Sequence, residues 1–498
     1  MQSVKTIGYF ILFSSLWLLA ACSTGPTQKV AIKEIYQQSA QYHLPDRNPI
    51  IVIPGILGSR LVDDVSGQTV WGAFRADYAD PATADGRQLI ALPLDSSSTD
   101  LSHIRGETGQ VSKALSRVVP DGVLENLELD LVGFPITIQA YAGILTTLGA
   151  GGYRDQSLGL NTINYGTDHF TCFQFDYDWR RDIAYNAKKF SEFIEARRRE
   201  VQFQYAKQYG IHNANVKFDI AAHSMGALLT RYYLRYGGKA LPEDGSVPPL
   251  TWEGARDIER AVLIAPPNGG ALEAFDQLRE GFNTGRPILP HYPAAILGTF
   301  PSVYQLLPRS RHGAFVWDGD ETNPVENMLD PVLWQDMGWG LAADDKSTQE
   351  ILAQLLPEIQ DADQRRDVAI AFQANALERA RQFQTAIDRP AKPPRGVELF
   401  LVAGDAESVP AVVSIDSQNG DVDVLRFAPG DKTVLRSSAL MDERIGGVWK
   451  PVLQTPIEWT SVLFVPSEHR KITSHPVFED NVLYWLLEEP RRTRTYSP

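Results

Sequence analysis

Cysteine is nearly absent from this chain, with two among 498 residues, Cys22 and Cys172. The disulfide framework that staples small secreted domains is therefore excluded. No Cys/His cluster has metal-ligand spacing either, so no structural zinc is expected. Basic residues are in deficit: 47 Lys and Arg stand against 61 Asp and Glu, a net charge of −14. Such a chain has no electrostatic drive toward a phosphate backbone, so no nucleic acid partner is expected. An anionic membrane would repel it, so membrane association must come from apolar burial or a covalent lipid. Internal repeats are lacking. Long apolar runs are lacking too, except one at residues 7–21, which falls short of a comfortable bilayer span. What remains is ordinary globular composition, 43% hydrophobic and 22% charged, and enough chain to enclose a site.

The run at 7–21 follows Lys5 and closes on Leu19-Ala20-Ala21-Cys22. A charged start, a short apolar stretch and a small-residue end mark an export signal. The closing residues resemble the lipobox of bacterial lipoproteins, in which the cysteine is lipidated and becomes the first residue. The expectation is a signal peptide over 1–21, a lipid on Cys22 and a tether over 22–48 with a short helix near 30–36. An ordinary signal peptide with a chance cysteine is the alternative. Ser23, rather than Asp, follows the cysteine, and by resemblance to known sorting rules this implies the outer membrane of a bacterial envelope. Cys172, in the apolar run 169–177, is expected to be buried and free.

Short apolar runs recur at 49–53, 170–177, 216–222, 260–265, 397–403 and 461–465. With little alternation and turn residues at their ends, they predict strands buried on both faces. Leucines alternating with acids at 127–131 predict a half-exposed strand instead. Helical patterns lie between, at 141–148, 187–209 and 227–236. Strands alternating with helices predict an α/β fold with a mainly parallel sheet covered on both faces. Two stretches break the alternation. Residues 73–118 are mixed and polar and read as a lid insertion. Residues 267–395 carry Trp317, Trp334 and Trp339 and a helix near 367–387. They read as a cap over the sheet's C-terminal edge, with a separate small domain as the alternative. The catalytic unit then spans 49–487, and 488–498 read as a polar tail.

The sharpest local pattern is Ala222-His-Ser-Met-Gly226, at a strand-to-helix junction. A serine on a tight turn, flanked two residues away on each side by small residues, is the nucleophile-elbow pattern of the α/β-hydrolase fold. It makes Ser224 the candidate nucleophile. The helix that begins there turns free N–H groups toward a developing oxyanion. His223 cannot share the pocket with its neighbour and reads as a packed histidine. Upstream, a strand runs into the glycine-bracketed turn at 54–59. The oxyanion hole of this fold uses the amide after the nucleophile and one after an early strand, here Met225 and Ile56. A plain strand-end turn is the alternative for the second.

Five motifs occur in order: Pro54-Gly-Ile-Leu-Gly-Ser-Arg-Leu61, Tyr177-Asp-Trp-Arg180, the elbow, Phe300-Pro-Ser-Val-Tyr-Gln-Leu-Leu-Pro308 and Gly430-Asp-Lys-Thr-Val434. Together they resemble the lecithin:cholesterol acyltransferase family, which includes lysosomal phospholipases and phospholipid:diacylglycerol acyltransferases. The resemblance covers roughly residues 49–487. Two departures stand out. The first elbow glycine is Ala222, and the lid disulfide of vertebrate members cannot form here.

The acid and base must follow the serine in that order. His469, just after the last strand, is the candidate base, with His475 as the alternative. For the acid, position in the fold points to Asp405, immediately after the strand at 397–403. The resemblance selects Asp431 instead, beyond an apparent hairpin at 411–427. Asp178 and Arg180 read as a structural pair. Trp71 is implied by the resemblance to line the acyl site, with simple packing as the alternative. The expected activity is serine-dependent acyl transfer from a lipid ester to an alcohol, with no cofactor and no metal, by a monomer working at a membrane surface. A lipase, phospholipase or esterase is the first alternative, and a catalytically inactive binding lipoprotein the second.

Overall fold

The computed structural model describes residues 35–42, 44–74, 78–94, 117–131, 134–139, 141–157, 170–282 and 290–492. The signal run, Cys22 and residues 95–116 of the expected lid lie outside the described residues. Six strands form one sheet: β1 (Ile50–Ile53), β2 (Cys172–Gln174), β3 (Phe218–His223), β4 (Ile258–Ile264), β5 (Glu398–Gly404) and β6 (Ser461–Val465). Their order is β6-β5-β4-β3-β1-β2, and every pairing is parallel. All six coincide with the apolar runs in the sequence. The four central strands are buried at every residue, because helices cover both faces. Successive side chains point to opposite faces. Accordingly Ile51 and Ile53 enter the larger core, whereas Ile50 and Val52 enter a smaller one with Phe400 and Trp485. A parallel sheet with helices on both faces and a serine at the β3 turn is the α/β-hydrolase fold.

The helices that matter for the site are α1 (Ala142–Ala150), α2 (Ile183–Tyr209), α3 (Met225–Tyr236), α4 (Ala362–Asp388) and α5 (Pro476–Leu483). Helix α2 begins where Asp182 accepts hydrogen bonds from the Ala184 and Tyr185 amides, and ends at Gly210 in the left-handed region. Helix α3 starts directly after Ser224 and is buried along its whole length. The long helix α4 docks on it end-first. Arg231 donates to the Ile387 carbonyl at 2.7 Å and Tyr236 to the Ala386 carbonyl at 2.8 Å, which satisfies carbonyls that a helix C-terminus leaves open. Residues of the 267–395 insertion, including Phe275, Trp334 and Phe383, share one continuous core with Phe218 and Ile220 of the sheet.

Other elements depart from expectation. Most of the helix expected near 30–36 lies outside the described residues, which hold a short helix just after it at Gln37–Ala40. The described part of the 73–118 stretch includes a helix, Ala84–Ile90, tied to the insertion through Arg87 and Gln88, both bonded to Gln354. The chain end is not a free polar tail up to Arg491. That side chain is buried and bonded to Asp219 at 2.9 and 2.6 Å. Among the described residues no helix is long and apolar enough to cross a membrane.

Candidate active site

Strand β3 carries the chain into Ser224 with φ +53° and ψ −125°, a conformation that a non-glycine residue rarely adopts. Such a residue costs on the order of 1–3 kcal/mol and persists only where its surroundings impose it. Here the Ser224 amide donates to the Ile264 carbonyl at 2.8 Å and its carbonyl accepts from Ala227 at 3.0 Å. The space around the turn explains its small residues. A methyl group on Gly226 would lie 2.4 Å from the Pro54 carbonyl oxygen, so glycine is required there. Ala222 lies within the strand, fully buried.

His469 lies in the turn after β6, with Nε2 3.0 Å from Ser224 Oγ and Nδ1 2.8 Å from Asp431 Oδ2. All three side chains are buried. The His469 amide also donates to the Asp431 carbonyl at 2.8 Å, so base and acid are joined through backbone as well. The Thr433 and Val434 amides donate to Asp431 Oδ1 at 3.0 and 2.6 Å. Burial alone would raise the Asp431 pKa. The charge and hydrogen bond of His469, with those two amides, outweigh it and hold the carboxyl below its ordinary value.

The two acid candidates turn out to be neighbours in space. After β5 the chain leaves along Glu407–Ile415 and returns antiparallel along Val422–Gly430, with Glu407 opposite Gly430. This excursion brings Asp431 back to the end of β5, where a methyl group on Gly404 would lie 2.5 Å from Asp431 Cβ. Asp405 remains at the strand end, half-buried. His475 is elsewhere, capping α5 by accepting from the Val477 amide at 3.2 Å.

The turn after β1 lies directly against the nucleophile. A methyl group on Gly55 would be 2.7 Å from Ser224 Cβ and 3.3 Å from Oγ, and the next peptide carries the Ile56 N–H. Leu57 follows with φ +63°. Beside this turn is a small cavity of about 10 Å³, room for little more than a water molecule, lined by Ile56, Leu57, Trp71, Trp179, Phe300 and Tyr292 among others. Trp71 both lines it and is packed: its indole donates to the Leu57 carbonyl at 2.8 Å, and its ring meets Trp179 edge-on at 5.7 Å. Asp178 and Arg180 form a buried pair at 2.8 Å, and Arg180 also donates to the Ile90 carbonyl, holding the 84–90 helix to the core. Tyr141 is a residue that sequence reasoning did not single out. It touches both the Gly55 amide and His223.

The family model for lecithin:cholesterol acyltransferase matches residues 157–379. Over that stretch, somewhat under half of its length, the chain is similar to the lecithin:cholesterol acyltransferase family. The matched part holds Ser224 and the 300–308 motif; Asp431 and His469 lie beyond it. No curated protein gives a significant match. A chain in the crystal structure of the Tle4-Tli4 complex superposes with a TM-score of 0.51 at 13% identity, over 89% of this chain and 98% of that one. At that identity the likeness speaks to the fold alone. A lin2722 gene product of Listeria innocua has 10% identity and a TM-score of 0.28, over 90% and 97% of the two chains. EstA from Clostridium botulinum has 10% identity and a TM-score of 0.30, over 93% and 99%. The similarity to the lecithin:cholesterol acyltransferase family over residues 157–379 supports an enzyme of acyl transfer or ester hydrolysis.

Proposed function

We propose that the protein transfers an acyl group from a lipid ester to an alcohol through an acyl-enzyme on Ser224. The observation that carries this reading is the line of hydrogen-bonding distances from Ser224 Oγ to His469 to Asp431, 3.0 and 2.8 Å. In the proposed cycle His469 Nε2 takes the serine proton as Oγ bonds to the ester carbonyl carbon. The Met225 and Ile56 amides hold the oxyanion. The leaving alkoxide departs with the proton from His469, and Asp431 stabilises the imidazolium while it lasts. An incoming alcohol then gives its proton to His469 as its oxygen bonds to the acyl carbon, and His469 passes that proton to Ser224 Oγ as the acyl–serine bond breaks.

Two features support a lipid ester. The small cavity beside Ile56 is lined almost wholly by apolar side chains, so the surroundings of the oxyanion turn are apolar. The loop at 443–454 is closed at its neck by the Glu443 amide donating to the Gln454 carbonyl at 2.8 Å, and it exposes Val448 and Trp449, 83% and 71% accessible. Exposed tryptophan beside aliphatic residues suits a membrane interface. The proposed site of action is a bacterial outer-membrane surface, with the chain held there as a monomer by a lipid on Cys22.

Labelling with a fluorophosphonate probe tests the nucleophile: the wild type labels and Ser224→Ala does not. Equal labelling of both would remove Ser224 from the mechanism. Phospholipid vesicles with and without a long-chain alcohol test the acceptor. Acylated alcohol is the expected product; free fatty acid alone would make the enzyme a hydrolase. Turnover of soluble short-chain esters only, with no gain on vesicles, would count against the lipid surface.

A further inference from the structure

We propose that Tyr141 and His223 form a hydrogen-bonded bridge that sets the oxyanion turn and the catalytic histidine loop in register, making both of them positioning residues for acyl transfer. The inference rests on the reading of Ser224 and His469 as the reacting pair.

The bridge has four members and one possible direction. The Gly55 amide lies 2.7 Å from the Tyr141 hydroxyl oxygen, and that hydroxyl lies 3.0 Å from His223 Nδ1. On the far side of the ring, His223 Nε2 lies 3.1 Å from the His469 carbonyl oxygen. A backbone N–H only donates and a carbonyl only accepts, so the two ends fix every proton between them. Gly55 donates to Tyr141, Tyr141 donates to Nδ1, and His223 must carry its proton on Nε2 to donate to His469. Burial holds the ring in that form. It drives the His223 pKa down to about 3, with the neighbouring His469 adding to the effect, and drives the Tyr141 pKa up to about 12.

Each end of the bridge meets a group the proposed chemistry uses. Gly55 precedes the peptide that carries the Ile56 N–H, and Gly58 in the same turn admits the Tyr141 ring, since a methyl group there would lie 2.8 Å from Tyr141 Cε2. His469 is held at three points: its amide by the Asp431 carbonyl, its Nδ1 by the Asp431 carboxylate and its carbonyl by His223. The third is the one that reaches across to the oxyanion turn. A residue beside the nucleophile, barred from the pocket, thus connects the donor of the oxyanion hole to the base.

Three substitutions divide the bridge. Tyr141→Phe removes the hydroxyl. His223→Asn keeps an acceptor near Nδ1 but no donor for His469, and His223→Gln keeps a donor near Nε2 but no acceptor for Tyr141. With p-nitrophenyl butyrate and active sites counted by fluorophosphonate titration, each variant should lose about ten- to a hundredfold in kcat with KM within about threefold. Tyr141→Phe combined with His223→Gln should be little worse than either alone, because both break one link. Turnover per titrated site within about twofold of wild type, alongside a lowered Tm, would make the bridge purely structural and overturn the proposal. Imidazole NMR of the full chain gives a readout free of activity. His223 should appear as the neutral Nε2–H form with a slowly exchanging proton. The Nδ1–H form, or titration near the ordinary histidine range, would overturn the bridge in an active enzyme. If NMR finds the Nε2–H form but wild type neither labels nor turns over, the acyl-transfer reading has failed and the positioning role falls with it.

Discussion

Strand β3 begins at one edge of the sheet and ends at the other, and the two edges are built on opposite plans. At its start, Asp219 is fully buried and accepts from both terminal guanidinium nitrogens of Arg491, which also pairs with Glu259 at 3.1 Å. Asn48 bonds to both of those carboxylates, and Arg260 pairs with Glu398 at 2.5 Å. Charges there neutralise one another and stitch the chain's end and the segment before β1 to three strands. At the other edge, where Asp431 pairs with His469 and Lys432 with Glu468, the distinguishing feature is backbone strain. Of eight non-glycine residues with positive φ among the described residues, Leu57, Ser224, Ala265 and Lys432 each lie in or beside the turns that carry the site. Strain clusters where groups must be aimed, and paired charge clusters where the chain must be held. Stability and chemistry should therefore come apart when the edges are altered one at a time.

The largest expected effect is at the strained edge. Asp431→Asn should lower kcat about 10⁴-fold with little change in unfolding, because the imidazole loses its orienting carboxylate. Asp405→Asn should leave kcat near wild type; the reverse pattern would reassign the acid. Next comes the paired edge. Arg491→Met strips Asp219 and Glu259 of a buried partner and should cost about 3–5 kcal/mol in urea unfolding, with kcat per titrated site unchanged. A loss of kcat without a loss of stability would erase the contrast between the edges. Gly55→Ala forces a methyl group against Ser224 Cβ, and kcat should fall about a hundredfold as the oxyanion turn shifts, with KM changing less.

The smallest effect is a pH dependence. The folded His223 pKa of about 3 lies below the ordinary 6.5, so as pH falls through 6.5 the unfolded chain takes up a proton that the folded chain refuses. This group's contribution to stability is intact above 6.5 and declines toward pH 3, by about 2 kcal/mol at pH 5. Asp431, with its folded pKa below 3.8, acts in the same direction but only below that value. Urea unfolding at pH 7.5 and pH 5 should thus show a drop that His223→Gln largely removes. An unchanged drop would place the acid sensitivity elsewhere.

Most of the framework was legible in the sequence because it is local. Six apolar runs marked the six sheet strands, and small residues around Ser224 marked the elbow. The helix at Ala362–Asp388 was visible from its periodicity, though it starts earlier than expected. What escaped depends on contacts between distant segments. Tyr141 reads as an ordinary helix-leading aromatic; only the folded chain brings it within 3.0 Å of His223, 82 positions away. His223 was read as packed, and that description misses that both ring nitrogens are engaged. Arg491 sits in a charged C-terminal stretch that carries no sign of burial in its composition. The choice between Asp405 and Asp431 was undecidable from strand position because it turns on hairpin register, which places both at one spot.

That register has a consequence for how the protein can change. Because Glu407 faces Gly430, the acid's location depends on where the ladder closes, not on how far it extends. Matched additions to both strands would keep the Asp431 carboxylate where it is but would lift the tip off the insertion, where the Trp339 indole donates to the Gly420 carbonyl at 3.0 Å and the Ser417 amide donates to Asp318 at 2.8 Å. The ribbon can therefore vary in its exposed side chains while both of its ends hold it to one length.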